Sequence, residues 1–155
     1  MIKLLRVDHR LLHGQVAVSW KGALDADCIL IANDAVPTDA LRKSALKVAK
    51  PAGTKLVIKT IADSIEAINS GVTDKYSLLI VVESIADAAK LCRGCKISVV
   101  NLGGTKVRPG TRNISKAMNI TEEEAGILRE LVSEGVQVEI QMVPDDSPVD
   151  VMRVL

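Results

Sequence analysis

Apolar residues along this chain fall into short, nearly unbroken runs: IKLLRVD at 2–8, ADCILIA at 26–32, TKLVIKT at 54–60, SLLIVVE at 77–83, KISVVNL at 96–102 and VQVEIQMV at 136–143. Runs of this length, rich in Ile, Val and Leu, read as strands. Where consecutive positions are apolar, both faces of the strand are expected to be buried. Most of the intervening segments carry apolar residues three and four positions apart, which predicts helices over 15–22, 38–49, 61–69, 85–91 and 121–133. Several of these helices are punctuated chemically. Thr121 ahead of Glu122, Glu123 and Glu124 makes a cap with a capping-box glutamate, and Gly135 closes the helix. Thr38 is the expected cap of the next, with Lys47 and Lys50 in its last turn and Pro51 as its stop. Gly53, Gly71, Gly94 and Gly135 each stand shortly before a strand, where a helix-to-strand turn needs freedom. The alternation predicts an α/β fold: an open, mostly parallel, doubly wound sheet with helices on both faces, in a single domain spanning 1–155.

Open sheets of this kind bind ligands at the carboxyl ends of their strands. The corresponding loops are Asp8–Gly14, Asn33–Thr38, Thr60–Asp63, Glu83–Asp87 and the long polar stretch Asn101–Asn113. The first holds both histidines of the chain, His9 and His13. At His13-Gly14-Gln15 a loop passes into a helix, so unpaired amides and the positive end of the helix dipole favour an anion there. Arg10 carries a planar fork suited to phosphate, and Gly14 permits close backbone approach. A neutral imidazole, with an ordinary pKa near ~6.5, is a competent nucleophile near neutral pH. The loop is therefore suited to carry a phosphohistidine on His13, with Arg10, Gly14 and Gln15 around the phosphate. Asp8 could orient His13 or Arg10 or only cap the turn, and Arg6 could be a plain ion-paired strand residue.

Composition narrows the field by exclusion. With 20 basic and 19 acidic side chains, no Phe, one Tyr and one Trp, the chain offers neither a global attraction for nucleic acid nor stacking surfaces for its bases. The longest apolar runs fall short of the about 20 residues of a membrane span. Charged residues at Lys3, Arg6, Asp8 and Arg10 break up any signal-peptide core, so the expected location is the cytoplasm. Cys28, Cys92 and Cys95 make no even disulfide framework; Cys28 reads as a small buried hydrophobe, and CRGC lacks a second pair to complete a zinc site. No metal or cofactor is expected.

Other readings of the same residues remain open at this level. The pair His9 and His13 could ligate a metal, though HRLLH lacks the glutamate of HExxH. His13 could serve as base for a distant serine or cysteine, though no GxSxG elbow is present. A non-catalytic module holding an anion at the same helix start is the main alternative. His9 is expected simply to satisfy a strand-end hydrogen bond. NLGGTKVRPGTRN, 101–113, either flanks the site or is a flexible connection, and Trp20 is expected in the core.

VDHRLLHGQVAVSW closely resembles the RxDxRLxHGQVxxxW opening of IIB components of the mannose/fructose/sorbose type in the bacterial sugar phosphotransferase system. The likeness continues in AND with DALRKSALKVAKPAGTKLVIKT, in NLGG and in GVQVEIQMVPDD, nearly the whole chain. The resemblance implies a domain phosphorylated on His13 by the phosphohistidine of a IIA protein. It further implies delivery of that group to a sugar held by the membrane IIC and IID permease subunits, at the inner face of the membrane. The arginine matching Arg10 would help hold the phosphate, with Gly14 and Gln15 near it and Asp8 and Arg6 in support. His9 stands where such proteins usually carry an acid. The chain is expected to be a free-standing IIB without a fused IIA. A homo-oligomer is allowed, and a phosphocysteine at Cys28, as in unrelated IIB folds, is a remoter alternative.

Overall fold

A computed structural model describes residues 1–155. In chain order the elements are β1 Ile2–Asp8, α1 Gly14–Leu24, β2 Cys28–Ala32, α2 Ala40–Ala49, β3 Lys55–Lys59, α3 Ile61–Ser70, β4 Leu78–Val82, α4 Ile85–Cys95, β5 Val99–Gly104, β6 Arg112–Ser115, β7 Met118–Ile120, α5 Glu122–Ser133, β8 Gln137–Ile140 and β9 Val149–Asp150. Seven strands form one sheet in the order β3-β2-β4-β1-β5-β8-β9, parallel except for the short edge strand β9. The doubly wound architecture anticipated from the pattern is the one observed.

Strand alternation divides the apolar residues between two cores. Leu5, Val7, Leu30, Ile80, Val82 and Leu102 pack on one face with Ile85 and Leu91 of α4 and Leu128 and Leu131 of α5. Ile29, Ile31, Leu79 and Val81 pack on the other with Leu12, Trp20 of α1 and Leu46 of α2. Each such fully buried aliphatic side chain contributes roughly 1.5–3 kcal/mol, so the two cores are held mainly by aliphatic side chains, with Trp20 the one aromatic residue buried among them.

Three boundaries depart from the sequence expectation, each for a local reason. Asp39, not Thr38, caps α2, accepting from the Arg42 amide at 3.1 Å, because Thr38 is committed to a short 3-10 turn over Val36–Thr38 and its hydroxyl donates to Ala35 O. Helix α4 runs on to Cys95, and Gly94 is not its turn: a Cβ there would sit 2.8 Å from Ile65 Cδ1 of α3, so the glycine lets two helices approach, while Lys96 takes the left-handed turn. The stretch after β5 is an irregular connection over 105–111 that leads into an antiparallel hairpin, β6–β7, clasped to the end of β5 by Thr105, whose hydroxyl donates to Asn119 O at 2.6 Å and accepts from the Asn119 amide at 3.0 Å.

The end of β1 is positioned by a buried polar cluster. Leu5 and Val7 face the α4 and α5 side, so Arg6 and Asp8 fall on the side of α1. Arg6 is only 3% exposed; its Nη1 donates to Asn101 Oδ1 (2.6 Å) and Gln141 O (3.0 Å), and its Nη2 to Met142 O (2.9 Å). The guanidinium lies 5.1 Å from the Trp20 ring centre, and Trp20 Nε1 donates to the same Met142 O. Pairing between β1 and β5 skips Gly103: Val7 faces Leu102 and Asp8 faces Gly104. A Cβ on Gly103 would lie 2.2 Å from Arg6 Cζ, whereas one on Gly104 would meet nothing nearer than 3.7 Å. The two adjacent glycines therefore have unequal duties. Gly103→Ala is expected to lower stability by about 1–3 kcal/mol, the usual cost of overpacking, and Gly104→Ala to leave it nearly unchanged. Thermal melts of both variants check this, and equal melting temperatures would refute the assigned clash.

Candidate functional site

The DHRLLHGQ segment is built around one buried carboxylate. Asp8, 1% exposed, accepts from the Arg10 amide at 3.0 Å, and its carbonyl accepts from the Leu11 amide at 2.9 Å. The chain then reverses through Leu11 in the left-handed region (φ 63°), an unusual conformation for a leucine. Burial of Leu11 and Leu12 in the α1-side core anchors the turn. With both leucines turned inward, His13 is left outside.

His13 is the exposed N-cap of α1, with extended backbone (φ −137°, ψ 98°) and no capping bond from its side chain. The Val16 and Ala17 amides bond back to its carbonyl at 3.0 and 3.2 Å. The amides of Gly14 and Gln15 precede them and are the orphan donors that every helix start presents. Gly14 has φ +34° and open space where a Cβ would lie, so its requirement is conformational. Gln15 is exposed and lines a groove between α1 and Val143–Asp145.

Asp8 serves two guanidiniums at once. Arg10 donates through Nε (3.3 Å to Oδ1) and Nη2 (3.4 Å to Oδ2), and Arg6 Nη2 approaches Oδ2 at 3.5 Å. Burial pulls Arg6 down to about 10, with Asp8 opposing the shift, so it keeps its charge near neutral pH. Two cations against one carboxylate leave an excess of positive charge. Arg10, with a 36% exposed side chain, presents it to solvent on the edge of its fork away from Asp8. Of the alternatives for Asp8, the contacts support two, capping the turn through the Arg10 amide and orienting the Arg10 side chain.

His9 does not behave as a satisfied strand-end histidine. Its amide donates to Gly104 O at 3.0 Å, but its ring Nδ1 is buried without a partner, 3.9 Å from Asp8 Oδ1. The ring borders a cleft of about 510 Å³ shared with Arg42, Glu83, Ser84, Thr105, Lys106 and Arg108. Topology explains the cleft: the connection after β1 leaves on the α1 face, while those after its neighbours β4 and β5 leave on the other.

The remaining candidates separate from this site. Cys28 starts β2, at the opposite edge of the sheet, 1% exposed, with burial pushing its thiol up. Burial also pushes Cys92 up to about 11 and raises Cys95, so neither is an activated thiolate. No group of three or more His, Cys, Asp or Glu is placed to hold a metal. Trp20 is in the core as expected. Sequence reasoning missed Asn101, the carbonyls of Gln141 and Met142, and the anchoring role of Leu11 and Leu12. The one available signal was the i, i+2 spacing of Arg6 and Asp8 on a strand, which puts both on one face.

Comparison with known proteins agrees with this fold. The chain is 31% identical over 153 residues to the sorbose-specific EIIB component of Lacticaseibacillus casei, covering 98% of this chain and 93% of that protein. The crystal structure of the IIBSor domain of the sorbose permease from Klebsiella pneumoniae superposes with a TM-score of 0.93 at 28% identity, over 99% of this chain and 94% of that one. The N-acetylgalactosamine-specific IIB component 1 of Escherichia coli gives 0.90 at 26%, over 97% and 99%. The model of the family described as PTS system sorbose subfamily IIB component matches residues 2–155. The chain thus belongs to the sorbose-subfamily IIB components of the phosphotransferase system, the phosphoryl carriers of sugar uptake.

Proposed function

We propose that the chain, acting as one IIB domain over 1–155, accepts a phosphoryl group on His13 from a phosphorylated IIA protein and passes it to a sugar in the membrane permease. The observation that carries this reading is the placement of an exposed imidazole at the start of α1, beside orphan amides and at the end of the loop whose Arg10 guanidinium is held by Asp8. In the first step the P–N bond of the donor breaks as a P–N bond to His13 forms. In the second, the P–N bond of phospho-His13 breaks as a P–O bond to a sugar hydroxyl forms, and the hydroxyl proton passes, directly or through solvent, to the ring nitrogen released, which restores neutral His13. Phosphoryl transfer proceeds through a loose transition state that needs alignment and charge stabilisation more than covalent help. Arg10 and the amides of Gly14 and Gln15 supply that charge, and docking to each partner excludes water from the labile P–N bond.

No helix of this chain is long and apolar enough to cross a membrane. Delivery to a transported sugar therefore rests on docking to the IIC and IID permease subunits at the inner membrane face. The sugar itself is not fixed by this chain's site, since the related proteins carry names of different sugars. A non-catalytic module would use the same helix start to hold an anion without a covalent bond, and the first experiment below separates the two.

Incubation with phosphorylated IIA should add one acid-labile, base-stable phosphate, seen by intact mass. His13→Ala should abolish it while His9→Ala retains it. Phosphate persisting in His13→Ala, acid-stable phosphate at Cys28, or reversible binding only, would each overturn the assignment. Arg10→Gln should slow transfer by roughly 100-fold or more, the scale of losing a preorganised charge, with only a modest fall in melting temperature because Arg6 and the residue-10 amide still hold Asp8. A purely structural Arg10 would show the reverse in rapid-quench and melting measurements.

A further inference from the structure

The cleft bordered by His9 lies outside the phosphoryl-accepting helix start and is unexplained by transfer through His13. It is sizeable, about 510 Å³, and none of its seven lining residues is hydrophobic. Its two walls differ in charge. On the β5 side, Lys106 pairs with no carboxylate, and Arg108, although its Nη2 reaches Glu124 Oε1 at 2.7 Å and Asn119 O at 3.3 Å, keeps a 41% exposed side chain. On the β4 side, Glu83 is held by Arg42 at 3.1 Å. Beyond it, burial together with the fields of Asp34 and Glu83 holds Asp87 above the ordinary carboxylate range. Between the walls sit the start of α4, capped by Ser84, and the partly exposed imidazole of His9.

These features restrict the ligand. The unpaired ammonium and half-free guanidinium on one wall select a phosphate or similar dianion. The volume falls within the range of small-molecule sites and exceeds what a bare phosphate fills. The body attached to the phosphate is polar, because no hydrophobic or aromatic side chain lines the cleft to receive an apolar one. The Glu83 carboxylate opposite is an acceptor for hydroxyl groups. We infer that this cleft binds a phosphomonoester of a small polyhydroxylated molecule, phosphate toward Lys106 and Arg108 and hydroxyls toward Glu83 and His9. Such a site goes beyond transfer through His13 and does not require His13 to be the acceptor. Occupied by a sugar phosphate, it would report product accumulation next to the transfer loop.

The test is an NMR titration of the full chain, in parallel with a hexose 6-phosphate, the free hexose and inorganic phosphate, at constant ionic strength. The hexose phosphate should saturate by about 10 mM, shifting the amides of His9, Ser84, Thr105 and Lys106. Free hexose should not bind, and inorganic phosphate should bind more weakly. Lys106→Gln, which breaks no contact of the fold, should weaken the hexose phosphate about tenfold, and His13→Ala should leave its affinity unchanged. Absence of saturation, shifts confined to residues 10–16, equal affinity for inorganic phosphate or for free hexose, an unaffected Lys106→Gln protein, or loss of binding in His13→Ala would each overturn the proposal. Failure of His13 to accept phosphate would not.

Discussion

One buried carboxylate organises the working end of this protein. Asp8 accepts from the Arg10 backbone and side chain and pairs with Arg6, and through Arg6 it is tied to Asn101 and to the carbonyls of Gln141 and Met142. Burying a charge costs several kcal/mol unless partners surround it, so the loop after β1, the end of β5 and the segment after β8 must all arrive in fixed register. The unusual left-handed Leu11 and the skipped Gly103 are the local adjustments that let them do so. Position of the His13 loop is thus set jointly by this polar cluster and by the burial of the loop's own Leu11 and Leu12.

Topology decides why the cluster lies where chemistry is possible. Strand β1 occupies a central place in the sheet, with β4 on one side and β5 on the other. Its connection crosses to the α1 face while theirs leave on the opposite face, opening space above its end. The same arrangement yields two distinct polar surfaces on one edge. The start of α1 displays His13 to solvent, and the cleft between β1, β4 and β5 receives His9. Two histidines four residues apart therefore address different spaces, because the intervening Leu11 and Leu12 turn into the core.

Much of this was legible in the sequence because aliphatic runs and capping residues speak through local physics. The six main parallel strands and five helices follow from apolar spacing, and the Thr121–Glu124 capping box is present as read. What escaped was non-local or polar. The β6–β7 hairpin has little apolar signal and depends on Thr105 reaching Asn119. Gly94 resembles a turn glycine until Ile65 of another helix is placed against it. In the site, the identity of His13, Arg10 and Gly14 could be argued from their order along the chain. The orphan nitrogen of His9 and the partners of Arg6 could not, since those partners lie about a hundred residues away.

The cluster around Asp8 must also be regarded as one unit energetically. Removing one member of a buried ion pair typically costs 3–5 kcal/mol, because the survivor is left buried and unpaired, against a total domain stability of about 5–15 kcal/mol. Replacing both members by apolar residues of similar volume is often neutral. An apolar pair at positions 6 and 8 could therefore preserve the sheet, but nothing would then hold the Arg10 fork or fasten β1 to the Gln141–Met142 carbonyls. Fold stability alone does not demand this polar cluster. What the cluster does fix is the Arg10 guanidinium, on the same loop that ends in the exposed His13, and the cost of burying charge in the sheet is the condition for that fixed position.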